Sequence, residues 1–420
     1  MNKLGCFKVG SCLASCLFAW LFLPGMVSGQ TNSLTLNDPF RSDDFEAVSN
    51  LPVQAGLPDP LIGADGKAIT TAAQWIAQRE RMKAVIQHYA LGRMPPPPGA
   101  VTGKDLATQA VLDGTATCRV VQLAFGPDAK LGFRAVLFIP AETAAHHAPF
   151  PVIVHPSFEA KLGKDQTTNV LNDIAKTFSQ PLQRGMAVMA FWYQQCGLDE
   201  QANYRQTGFF PAYPDYDWGD LAAWAWGMSR CVDYLQTQPF ADQTKIIAVG
   251  HSRLGKATLV AGAFDERFAL TAPAGSGCGG TGAYRFNGKT RGGKEGLEDA
   301  INHFPQWFGP RMPEFCNQVE KLPFDQHWLL ALVAPRLCIP ADGLSDGYAN
   351  GNALAKAYLG AKPVYALLGV PEHLGISFRA GGHVLAADDW AAILDFADLH
   401  LRHRTITRVF DQLPAANLLR

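Results

Sequence analysis

Net charge is nearly absent from this chain: 36 Lys and Arg stand against 37 Asp and Glu. No basic run breaks the balance, so the electrostatic footprint of a nucleic-acid binder is missing. Anionic membranes are an equally poor partner. Charge is sparse altogether, at 17% of residues against 48% hydrophobic, which leaves ample material for a large buried core. Beyond the first thirty residues no apolar run is long enough to cross a bilayer. The nine cysteines show no metal-type spacing. There is no internal repeat, and the expectation is one catalytic domain with an N-terminal extension.

What is present begins with a leader. Lys3 and Lys8 supply a short positive region, an apolar stretch covers 13–24, and Val27-Ser28-Gly29 offers small residues for cleavage before Gln30. That order is the pattern of a signal peptide over residues 1–29, and it predicts a secreted or periplasmic protein. Leu13-Ala14-Ser15-Cys16 resembles a lipoprotein box, but most of the apolar stretch lies after Cys16, the wrong side for lipidation there. Export places Cys118, Cys196, Cys231, Cys278, Cys316 and Cys338 in an oxidising compartment. Two readings stay open for them: buried free thiols, or one or two disulfides with Cys278–Cys316 the first choice.

Residues 30–110 read as an N-terminal extension. It holds a polar arm, a helix over 71–89 and a stiff connector at Pro95-Pro96-Pro97-Pro98. Residues 111–410 read as the catalytic domain. Strand-like runs at 117–125 and 133–139 predict an antiparallel edge. Strand and helix then alternate: strands at 151–155, 187–192, 245–249, 336–339 and 364–368, helices at 170–184, 218–236, 256 onward and 388–402. Alternation of this kind implies a mostly parallel central sheet with helices on both faces, a three-layer α/β sandwich.

The most informative segment is Ile246-Ile247-Ala248-Val249-Gly250-His251-Ser252-Arg253-Leu254-Gly255-Lys256. An apolar strand runs into glycine, then serine, and a helix follows, which is the setting of the nucleophile elbow of the α/β-hydrolase fold. Such a turn lifts the serine hydroxyl clear of the sheet. The N–H after the serine and the helix N-terminus then favour negative charge beside it. The second glycine, Gly255, comes three residues after Ser252 rather than the usual two. In this fold the base comes last along the chain. His383 follows Ala380-Gly381-Gly382 and precedes the final helix; His373, His327, His400 and His403 are the competitors. The acid is expected in Ala341-Asp342-Gly343-Leu344-Ser345-Asp346, with Asp346 first choice and Asp342 second.

At this point a family becomes visible. Gly250-His251-Ser252-Arg253-Leu254-Gly255-Lys256, the run from Ala261-Gly262-Ala263-Phe264-Asp265-Glu266-Arg267, and Ser276-Gly277-Cys278-Gly279-Gly280 resemble the glucuronoyl esterases, carbohydrate esterase family fifteen. Phe304-Pro305-Gln306-Trp307-Phe308, Asp325-Gln326-His327, Ala334-Pro335-Arg336 and Gly382-His383 continue the likeness, and Asp217-Trp218-Gly219 resembles the bacterial branch. The resemblance implies a serine esterase, with no metal or organic cofactor expected; a monomer is the separate expectation. Its substrate would be the ester between 4-O-methyl-glucuronic acid on xylan and lignin alcohols. It also implies roles: Ser252 as nucleophile, His383 as base, and Arg253 as oxyanion stabiliser through its backbone N–H and its guanidinium. Lys256, Tyr348, Glu295 or Glu298, and Trp307 would contact the sugar. Two departures stand out. Fungal members carry the triad Glu where this chain has Gly275, and Asn350 stands where relatives can carry Asp. They leave open a sugar-binding pseudo-hydrolase with impaired catalysis; a separate alternative keeps Ser252 and His383 but changes the ester, as in another carbohydrate esterase such as an acetyl xylan esterase.

Overall fold

Apolar blocks of strand length alternate with helix-length amphipathic runs, and in the computed structural model they assemble as layers. The structure describes residues 45–162, 167–287 and 295–419. The leader, the lipoprotein-like box and the first part of the arm lie outside the described residues.

Three strands form the antiparallel edge: β1 (Thr102–Val111), β2 (Ala116–Phe125) and β3 (Leu131–Pro140). Next in the chain come β4 (Phe150–Ser157) and β5 (Ala187–Trp192); β3 pairs antiparallel with β5, and β5 parallel with β4. From β4 onward the sheet is parallel through β6 (Ala241–His251), β7 (Phe268–Ala274), β8 (Leu337–Cys338), β9 (Ala341–Gly343) and β10 (Ser377–Arg379). The spatial order is β1-β2-β3-β5-β4-β6-β7-β9-β10, with β8 beside β7. All eight residues of β4 are buried, as a central strand covered on both faces requires.

Side chains that alternate along a strand separate two cores. Val152, Val154, Ile246 and Ala248 face one apolar cluster; Ile153, Ile247 and Val249 face the other. The first cluster takes its helical cover from α1 (Ala72–Ile86), and the second from α2 (Thr168–Thr177) and α3 (Ser179–Gln183). The first is extended by α4 (Asp220–Leu235), α5 (Arg253–Phe264), α6 (Leu297–His303), α7 (His327–Val333) and α8 (Gly351–Leu367). The second is completed by α9 (Ala387–Leu401). Local signals set the ends: Thr71 and Gln74 form a capping box at the start of α1, and Asn350 accepts the amides of Asn352 and Ala353 at the start of α8.

Four expectations need correction. Residues 364–368 are the end of α8, not a strand. Ala353, Leu354, Ala357, Tyr358, Ala361, Val364 and Tyr365 are buried at helical spacing, and this long period overrides the short apolar run. The run at 170–184 is two helices, broken at Phe178, whose φ of −110° and ψ of 20° leave the helical region. The sheet also begins earlier than residue 111, because β1 starts at Thr102. The six described cysteines are all free, so no Cys278–Cys316 bridge forms; burial alone accommodates Cys278 as a small apolar group.

Candidate active site

The turn between β6 and α5 explains its own glycines. Ser252 sits at φ 59° and ψ −130°, a left-handed conformation that costs energy for a residue with a Cβ. A Cβ on Gly250 would lie 2.3 Å from Thr258 Oγ1, and one on Gly255 would lie 2.8 Å from the Ala274 carbonyl oxygen. The glycine three residues after the serine is therefore a packing requirement, where α5 crosses the end of β7. The Ser252 amide donates to the Ala274 carbonyl at 2.9 Å and fixes the turn.

Three loops meet at the C-terminal ends of parallel strands, where sites collect in open α/β sheets. His383, after β10, places Nε2 at 2.8 Å from Ser252 Oγ. Its Nδ1 lies 2.8 Å from Asp346 Oδ2, on the turn after β9. The other Asp346 oxygen accepts the amides of Tyr348 at 2.8 Å and Ala349 at 2.9 Å. Asp346 only accepts at Oδ2, so the Nδ1 proton belongs on His383 and Nε2 is left to receive one from Ser252. Burial raises the affinity of Asp346 for a proton. The bonds from His383 and the two amides outweigh it and hold the carboxyl below its usual range.

Asp342 is placed differently. It lies on β9, fully enclosed, with neither oxygen hydrogen-bonded. The Gly275 N–H beside it gives its bond to the Ala341 carbonyl. Burial first, then the Asp346 and Asp389 carboxylates, push Asp342 well above the usual carboxylate range. Gly275 has φ +51°, and a Cβ there would sit 2.9 Å from His251 Nε2 and 3.5 Å from Asp346 Oδ2, so the position is closed to an acidic side chain. Asn350 is spent on capping α8, and its amide donates to the Phe286 carbonyl at 3.1 Å.

The residues expected to bind sugar divide. Tyr348 is 64% exposed, with its ring 4.9 Å from that of His383. Lys256 is buried, and its Nζ donates to Glu295 at 2.7 Å and to the carbonyls of Ser276 at 2.9 Å and Cys278 at 2.5 Å. An ammonium has three protons to donate, so these partners occupy all of them. Glu298 turns elsewhere and accepts the Asn317 amide at 2.7 Å. Trp307 is buried, stacked on Phe304 at 4.1 Å, with the Arg253 cation 5.1 Å and the Lys256 cation 5.3 Å from its ring. His327 is enclosed and bonds the Pro58 carbonyl at 2.7 Å, a structural role.

Two residues come forward that sequence reasoning does not single out. Asp199 takes the Arg253 guanidinium at 2.5 Å, Gln306 at 2.9 Å, the Trp307 indole at 2.8 Å and the Tyr193 hydroxyl at 3.2 Å. No spacing marks it; a single Asp in an irregular loop carries no signal of its partners. His251 packs 4.6 Å from the His383 ring. Burial, then the neighbouring His383, lower its proton affinity to about 4.

The same burial acts at His155 and His327, both lowered to about 4 mainly by desolvation. Their folded values lie below the ordinary 6.5, so the unfolded chain binds more protons between these limits. Stability is fully present above pH 6.5 and falls as the pH drops towards 4. The expected loss is on the order of 3 kcal/mol for each histidine at pH 4. Thermal melts from pH 7 to pH 4 check this; a midpoint that does not move would refute it.

Known proteins resemble the chain in both sequence and shape. A family model described as "Glucuronyl esterase, fungi" matches residues 132–369, a span that includes Ser252 and Asp346 and stops before His383. A carbohydrate esterase of an unknown prokaryote is 31% identical over 395 residues, 82% of this chain and 89% of its own. A 4-O-methyl-glucuronoyl methylesterase of Wolfiporia cocos is 31% identical over 333 residues, covering 78% and 75%. Among solved structures, a family-fifteen glucuronoyl esterase from Caldicellulosiruptor kristjansonii matches with TM-score 0.72 at 30% identity, covering 89% of this chain and 97% of that one. A glucuronoyl esterase from Solibacter usitatus matches with TM-score 0.73 at 26% identity, covering 83% and 99%.

Proposed function

The chain belongs to the glucuronoyl esterase family, carboxylic ester hydrolases on the α/β-hydrolase fold, and from that premise we propose that it cleaves esters of 4-O-methyl-glucuronic acid on xylan with lignin alcohols. Ser252 Oγ attacks the uronoyl carbonyl while His383 Nε2 takes its proton. The carbonyl oxygen becomes an oxyanion. Because α5 starts at Arg253, the amide of that residue has no acceptor within its own helix and can donate to the oxyanion. The Arg253 guanidinium adds positive charge nearby. His383 then protonates the departing alcohol, leaving an acyl-enzyme. Water attacks next and gives a proton to His383; the bond to Ser252 Oγ breaks, His383 returns the proton to that oxygen, and the uronic acid leaves.

The observation that carries this reading is the unbroken relay of two 2.8 Å contacts from Ser252 through His383 to Asp346. It supports an active enzyme over a pseudo-hydrolase. The Arg253 guanidinium beside the nucleophile, only one nitrogen of which is given to Asp199, favours an oxygen-rich acyl part over acetate. Benzyl glucuronate should therefore exceed benzyl acetate in kcat/KM by about 100-fold or more. Preferential release of acetate would overturn the substrate, and sugar binding without turnover would overturn the esterase.

A further inference from the structure

Two cations flank the nucleophile, and neither stands alone. Arg253 is the next residue after Ser252, and Lys256 lies one helical turn on. Arg253 Nη1 meets Asp199 Oδ2 at 2.5 Å, and Lys256 Nζ meets Glu295 Oε2 at 2.7 Å. The carboxylates are enclosed too, with side-chain exposures of 2% for Asp199 and 16% for Glu295. Asp199 is also locked by Gln306, Trp307 and Tyr193, all of which donate to it. Its charge is held in one place by side chains from separate segments, more than an incidental ion pair would need.

We propose that Asp199 and Glu295 are specificity-determining residues that balance Arg253 and Lys256, so that the pocket holds a neutral uronoyl ester in preference to the uronate anion released by hydrolysis. The inference rests on the function proposed above. The chemistry of the reaction creates the need. The substrate carries no charge at the reacting carbon, whereas the product is a carboxylic acid, ionised at neutral pH. In a partly enclosed site an unbalanced cation attracts such an anion strongly. A pocket with two free cations would bind its product more tightly than its substrate and turn over slowly. With Arg253 paired to the enclosed Asp199 carboxylate and Lys256 to the partly buried Glu295, the long-range attraction for uronate is offset. The developing oxyanion still meets the Arg253 amide at short range. Asp199 thus shapes the balance between ester and acid without touching the reacting atoms.

The test compares two constants in the full-length enzyme at pH 7: KM for methyl glucuronate and the inhibition constant for glucuronate. In Asp199→Asn the ratio of inhibition constant to KM should fall about tenfold, because the freed guanidinium gains the anion and not the ester. Glu295→Gln should shift it the same way, and it carries the test if Asp199→Asn fails to fold. A merely structural role would weaken both ligands together and leave the ratio where it was. An unchanged or raised ratio in folded variants overturns the inference. If the wild-type enzyme does not hydrolyse methyl glucuronate at all, the parent reading fails instead, so the two failures are distinct.

Discussion

Ser252→Ala is expected to remove turnover of a glucuronate ester, with a fall of about a million-fold in kcat, the scale seen when the nucleophile of a triad is lost. Only one atom disappears. The Ser252 amide bond to the Ala274 carbonyl is a backbone contact and survives the change. Alanine keeps the Cβ at the same left-handed position, so the strain of the turn is nearly unaltered. His383 keeps Asp346 and loses only its 2.8 Å partner Oγ. The stability cost should therefore stay near 1 kcal/mol, the net worth of one hydrogen bond. Assay of the purified variant on benzyl glucuronate, beside a thermal melt, separates chemistry from folding. A folded Ser252→Ala protein that kept as much as a hundredth of the wild-type rate would mean that another group attacks the ester.

How far the sequence reaches depends on how local each feature is. The elbow is legible because strand, glycine, serine and helix follow one another within a few residues, and each constrains the next. His383 is legible from chain order and its glycine-rich approach. The edge strand β1 escapes notice because the outer side of the sheet leaves its residues mostly exposed, so no apolar alternation marks it. Strand β7 has the opposite problem: the short apolar run Phe268–Ala274, nearly all buried, lacks a period that separates it from a helix. The helix α8 is misread for a related reason, since Pro363 stands inside it and masks the period of its last turns. Asp199 lies beyond any reading of local pattern. It is defined by Arg253, Gln306, Trp307 and Tyr193, which reach it from separate parts of the chain.

The choice between Asp342 and Asp346 is of the same non-local kind, and it yields the second large expected effect. Asp346→Asn should lower kcat by about ten-thousand-fold, as when the orienting carboxylate of a serine triad becomes an amide. The amide offers an N–H or a weaker acceptor to His383 Nδ1, so the ring no longer holds the tautomer that leaves Nε2 free to take the serine proton. The positive charge that develops on the imidazole also loses its counter-charge. Asp342→Asn should cost less than about tenfold, because neither Asp342 oxygen makes a hydrogen bond that the change would break. Burial and the two neighbouring carboxylates already disfavour a charge at Asp342, so a neutral amide of the same shape suits that enclosure. Steady-state kinetics on both variants, with KM reported beside kcat, decide the matter. A larger loss from Asp342→Asn than from Asp346→Asn would mean that the relay through His383 ends on the other carboxylate.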